Sequence, residues 1–125
     1  VTPLLFLGVS VAGGIGAALR LLIDGLVRSG TKGNYPAGTT IINVSGSFVL
    51  GLVTGLAVGG QLPEGWQLVI GTGLLGGYTT FSTASFETVR LIQDRRYVAG
   101  LANGLGMLFG SVAAASLGLW LASVL

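Results

Sequence analysis

Gly76-Gly77-Tyr78-Thr79-Thr80-Phe81-Ser82-Thr83-Ala84-Ser85-Phe86-Glu87 lies inside a long apolar segment. It nevertheless holds two glycines, a tyrosine, a carboxylate and five further hydroxyls: Thr79, Thr80, Ser82, Thr83 and Ser85. Glycine accepts backbone angles that other residues resist, and hydroxyls can re-satisfy main-chain groups freed when a membrane helix opens. The stretch therefore predicts a transmembrane helix interrupted near Gly76–Thr80. A simple kink does not need so many hydroxyls. Broken membrane helices expose carbonyls that suit cations and amides that suit anions, so an ion is expected at the break.

The surrounding chain is consistent with a bilayer protein. Of 125 residues, 51% are hydrophobic and 8% charged, against about 25% charged in a soluble domain. A spanning helix needs about 20 apolar residues. Four such segments form one domain over residues 1–125, at about 4–22, 37–58, 66–92 and 97–124. They are continuously apolar rather than alternating, which excludes a membrane β-barrel. The fold class is an all-α membrane protein with four transmembrane helices, embedded in the lipid of the cell membrane. The first segment is no obvious signal peptide, because no cation precedes it and its apolar run is long. Trp66, Tyr97 and Trp120 fall near segment ends, where interfacial aromatics belong.

Neither Cys nor His occurs, which removes thiolate chemistry, disulfides and most zinc sites. No acid–base or nucleophile set remains to support an enzyme. Nothing in the pattern points to a nucleic-acid partner. All six basic residues (Arg20, Arg28, Lys32, Arg90, Arg95 and Arg96) lie in or beside the first and third loops. By the positive-inside rule, those loops are expected in the cytoplasm.

Small residues recur four apart, at Gly13/Ala17, Gly51/Gly55/Gly59, Gly73/Gly77, Gly100/Gly104 and Gly106/Gly110. This spacing lets helix backbones approach closely. Four helices enclose little space, so a path for a solute is expected at a subunit interface. On the second span Thr40, Asn43, Ser47 and Thr54 share one face. They either bond a neighbouring helix or line an ion path. Phe81 is either a packing aromatic or an anion contact, since aromatic rings carry positive edges. Glu87 can snorkel, pair with Arg90 three residues on, or line a vestibule.

Three motifs together resemble the Fluc/CrcB family of fluoride channels. They are Gly13-Gly14-Ile15-Gly16-Ala17-Ala18-Leu19-Arg20, Thr40-Ile41-Ile42-Asn43-Val44-Ser45-Gly46-Ser47-Phe48, and Gly76-Gly77-Tyr78-Thr79-Thr80-Phe81-Ser82-Thr83. The resemblance covers nearly the whole chain. It implies an antiparallel dimer with two fluoride pores at the interface. It also implies a structural sodium ion held by main-chain carbonyls of both helix breaks. The positions matching the sodium ligands are Gly76 and Thr79. Those matching the fluoride pore are Asn43, Phe81, Ser82 and Thr83, with Ser111 on the last span. Arg20 and Glu87 match residues of structural or vestibule role. The chain departs from the pattern at Ala84, where a second phenylalanine is usual, at Asn103, often tyrosine, and at Met107, often a hydroxyl residue.

The charge bias and Ala84 suggest a heterodimer with an oppositely oriented paralogue as an alternative to a homodimer. Other readings are a partner subunit that conducts only in such a heterodimer, and a small four-span drug exporter. The exporter reading lacks a carboxylate deep in the first three spans.

Overall fold

The computed structural model describes residues 1–30 and 35–125. Lys32 and the middle of the first polar loop lie outside the described residues. Among those residues all regular structure is helical. Helix α1 spans Pro3–Gly30. The Thr2 hydroxyl accepts the Leu5 amide at 3.1 Å, and Pro3 follows at the first helical position, where its missing N–H costs nothing. The helix runs eight residues past the expected end at 22, carrying Asp24 and Arg28 with it. Its 28 residues reach about 42 Å, longer than a hydrocarbon core of about 30 Å. The polar C-terminal turns therefore extend beyond the apolar layer.

Helix α2 spans Ala37–Val58. It ends because Gly60 takes a left-handed φ of 78°. The Gly60 amide reaches Ala57 O at 3.1 Å and the Gln61 amide reaches Leu56 O at 2.9 Å, the paired bonds of a Schellman cap. The third crossing is two helices in series. Its first part, α3, covers residues 64–78 as an α-turn Glu64–Gln67, a π-helical stretch Leu68–Leu75 and a last turn Gly76–Tyr78. Its second part, α4, is Ser82–Gln93. Helix α5 spans Tyr97–Ser123. Arg95 makes the α4–α5 corner with φ 61°, a left-handed position that usually falls to glycine.

The helices pack mainly as two pairs, α1 with α3 and α2 with α5, and α4 leans on α5. Small residues set these contacts. A Cβ on Gly16 would strike Leu74 O, and one on Gly77 would strike Gly13 O. A Cβ on Gly51 would likewise meet Ala115 O, and one on Gly118 would meet Phe48 O. Main chains thus touch where larger side chains would hold the helices apart. The three unbroken helices α1, α2 and α5 are each long and apolar enough to cross a membrane. Most large apolar side chains face outward, and the largest fully enclosed side chains among the described residues are the apolar Ile42 and the polar Asn103. This is the surface of a protein solvated by lipid tails. Trp66, Tyr97 and Trp120 are all exposed, as interfacial anchors require.

Candidate functional site

The third crossing breaks at residues 79–81. Gly76 keeps helical angles, φ −61° and ψ −39°, whereas Thr79 is extended, with φ −81° and ψ 160°. The interruption therefore falls just after the glycine pair. The glycines remain helical because Gly77 is pressed against α1, while the hydroxyl residues carry the opening. Thr79 is tied back twice to one carbonyl oxygen: its amide and its hydroxyl both donate to Leu75 O, at 2.9 and 2.8 Å.

Asn43 on α2 holds the break open. Its Oδ1 accepts the Thr80 amide at 2.9 Å, and its Nδ2 donates to Thr80 O at 2.7 Å. In an uninterrupted α-helix the Thr80 amide would pair with Gly76 O. With that amide taken by Asn43, the Gly76 carbonyl is released. The Thr80 hydroxyl accepts the Thr83 amide at 3.2 Å, which caps the N-terminus of α4. From α1, the Arg20 Nε donates to Gly77 O at 3.3 Å. A cation at the C-terminal end of α3 also suits the helix dipole.

Beside the break runs an open groove of about 620 Å³. Asn43 and Ser47 line it from α2, Gly76 from α3, Thr79, Thr80 and Phe81 from the break, Ala84, Ser85 and Thr88 from α4, and Met107 and Ser111 from α5. None of its lining residues is acidic or basic. Phe81 is 87% exposed, so its ring projects from the chain instead of packing within it.

The structure thus brings Asn43, Gly76, Thr79, Phe81 and Ser111 to one groove. Ser82 and Thr83 stand beside it, outside its lining; Ser82 Oγ is 3.4 Å from Thr80 Oγ1. Of the face on α2, Asn43 and Ser47 line the groove, while the Thr40 hydroxyl is buried without a partner among the described residues. Arg20 acts on the far side of α3, against α1. Glu87 does not pair with Arg90. Its Oε2 lies 4.0 Å from Arg28 Nη2 of α1, whereas Arg90 turns to Asp94. The reason is orientation: Glu87 faces inward with its side chain 15% exposed, and the Arg90 side chain is 64% exposed. At that separation the Arg28 contact contributes little.

Thr88 is the polar lining residue that sequence reasoning missed. The spacing 81, 84/85, 88 on one helical face would have pointed to it. Its hydroxyl donates to Ala84 O at 2.8 Å and accepts from Asn103 Nδ2 at 2.8 Å.

Among the described residues no three His, Cys, Asp or Glu side chains come together in a group that could hold a metal ion. A metal here would rely on neutral main-chain oxygens, which suit a hard alkali cation. The released Gly76 carbonyl and the extended Thr79 supply that chemistry. A Cβ added to Gly76 would meet nothing within 4 Å.

A family profile described as CrcB-like protein, Camphor Resistance (CrcB), matches residues 7–119. A protein of Leifsonia xyli subsp. xyli named fluoride-specific ion channel FluC 1 is 59% identical over 96% of this chain and 88% of its own length. A Mycobacterium bovis protein named fluoride-specific ion channel FluC 2 is 42% identical over 98% of this chain and 94% of its own. Another of that name, from Moorella thermoacetica, is 43% identical over 89% of this chain and 90% of its own. With the profile covering nearly every helix of the bundle, the chain belongs to the CrcB family.

Proposed function

We propose that this chain is a subunit of a fluoride-selective channel that lets cytoplasmic fluoride leave passively across the cell membrane. The observation that carries the reading is the Asn43–Thr80 clamp, which opens a helix onto a polar strip of an otherwise apolar groove. Membership of a family with relatives named fluoride-specific ion channels supports fluoride as the anion.

Fluoride is small and strongly hydrated, so entering low dielectric is costly. Hydrogen-bond donors must replace its water. Asn43 and the hydroxyls of Ser47, Ser85 and Ser111 line the groove in position to do so, with Ser82 and Thr83 beside it. The Phe81 ring adds a weakly positive edge. Conduction requires sites that are favourable yet easily left, and neutral donors meet that need better than a fixed cation would. The absence of acidic residues from the groove lining speaks against a proton-coupled drug exporter.

The groove is open on one side, and an inverted second subunit would close it. A sodium ion bound by Gly76 and Thr79 carbonyls, with the partner's equivalents, would add positive potential beside the anion route. Ala84 lines the groove where an aromatic is usual, which favours a heterodimer in which the partner supplies that ring. Arg20 would steady the carbonyl end of α3, and Glu87 the α1–α4 junction.

Reconstitution tests the reading. Liposomes containing the chain, loaded with potassium fluoride and given valinomycin, should release fluoride without a proton gradient and retain chloride. No release from this chain, alone or with an inverted paralogue, would overturn it.

A further inference from the structure

The Asn43 side chain has a second donor that the helix clamp does not use. Its orientation is fixed by its partners, because the Thr80 amide can only donate and the Thr80 carbonyl can only accept. One N–H of Nδ2 is therefore spent on Thr80 O. The other meets Met107 Sδ at 3.1 Å. Met107 reaches in from α5, is 6% exposed, and forms part of the groove wall.

A thioether is a weak acceptor. A buried N–H with no acceptor is costly, and one held by a carbonyl is hard to recruit. Sulfur lies between these limits. It satisfies the donor in the resting protein, yet a charged halide forms a stronger hydrogen bond than neutral sulfur can. The exchange also leaves the clamp untouched, since the Thr80 bonds use the other N–H and Oδ1.

We infer that Met107 is a positioning residue that holds one Asn43 N–H on the groove wall as a replaceable acceptor. It thereby sets how tightly the groove takes fluoride. This rests on the fluoride reading above. On arrival the anion accepts the N–H and the sulfur is displaced; on departure the sulfur takes it back. Binding stays favourable and reversible, as conduction demands.

Two substitutions separate this role from packing. Met107→Leu conserves volume and removes the acceptor. Met107→Gln keeps the length and installs a carbonyl that competes firmly for the N–H. In fluoride-efflux assays on liposomes, Met107→Leu should lower the half-saturating fluoride concentration by about threefold. Met107→Gln should raise it by about fivefold, the weight of one ordinary hydrogen bond. A residue that only packs would shift both variants in the same direction or neither, and either result overturns the inference.

A second measurement needs no variant. Met107 is the sole methionine of this sequence, so a methyl-13C-methionine label, with its signal assigned against Met107→Leu, reports on it. Its signal should move on titration with fluoride and stay still with chloride; an unmoved signal in a conducting protein overturns the inference. If Met107→Gln fails to assemble, the leucine variant and the methyl titration decide together. Wild-type protein that carries no fluoride with any partner defeats the fluoride reading and this inference together. Parallel behaviour of the variants in a conducting protein defeats the inference alone.

Discussion

Asn43 supports the break through two bonds to one residue, and each satisfies a main-chain group that the helix has given up. Asn43→Ala would strand the Thr80 amide and carbonyl in a partly buried site. Each unsatisfied group costs about 1–3 kcal/mol, so the expected loss is about 2–6 kcal/mol. Thermal unfolding in detergent, followed by circular dichroism, should show a lower midpoint, and fluoride efflux should fall with it. Asn43→Asp should be intermediate in stability, because its carboxylate still accepts the Thr80 amide but cannot donate to the carbonyl. It should conduct less than wild type, since a fixed negative charge repels an anion. An Asn43→Ala protein with an unchanged midpoint would mean that Thr80 finds other partners. Local pattern could name Asn43 as a polar residue on an apolar helix. It could not name Thr80 as the partner, because the contact joins residues 37 apart in sequence. Met107 was harder still: a methionine in an apolar helix reads as packing until its neighbour across the groove is known.

At the scale of elements, the broken third crossing was legible because five hydroxyls in an apolar segment exceed what packing needs. Its position was less so. Paired glycines suggest an opening on themselves, yet Gly77 is needed as a flat contact for α1, and tertiary contact overrode local freedom. The π-helical stretch Leu68–Leu75 gave no sequence signal, since its composition is that of any apolar helix. These roles separate on substitution. Gly77→Ala would drive a methyl group into Gly13 O, whereas Gly76→Ala would place one in open space. Gly77→Ala should therefore part α1 from α3, costing about 1–3 kcal/mol as overpacking does, and abolish a monodisperse elution peak. Gly76→Ala should preserve stability to within about 1 kcal/mol, because the role proposed for Gly76 is that of its carbonyl. Equal behaviour of the two variants in thermal unfolding and elution would remove this distinction between neighbouring glycines.

For the whole molecule, the open groove and the charge pattern bear on what covers the break. Non-helical backbone at membrane depth persists only where protein buries it or water reaches it. Phe81, 87% exposed beside released main-chain groups, stands where lipid tails alone would be a poor neighbour. The second subunit proposed above would cover it, and an inverted one would bring its own break to the same level. Inversion and charge then pull against each other. Six basic residues lie in or beside the first and third loops and none in the second loop, a bias that by the positive-inside rule would favour one orientation. A homodimer of opposed chains would need half the copies to insert against that rule. An oppositely biased paralogue removes the conflict, and it could also supply the ring missing at Ala84. Accessibility tags at both termini and in the first loop should therefore report a single orientation in cells, with the termini outside. Co-expression with an inverted paralogue should raise fluoride efflux at least several-fold over this chain alone. Moving two or three basic residues to the second loop should produce copies in both orientations and recover efflux without the paralogue. Comparable populations of both orientations from the unmodified chain would show that the bias does not govern insertion. The homodimer would then be the working assembly.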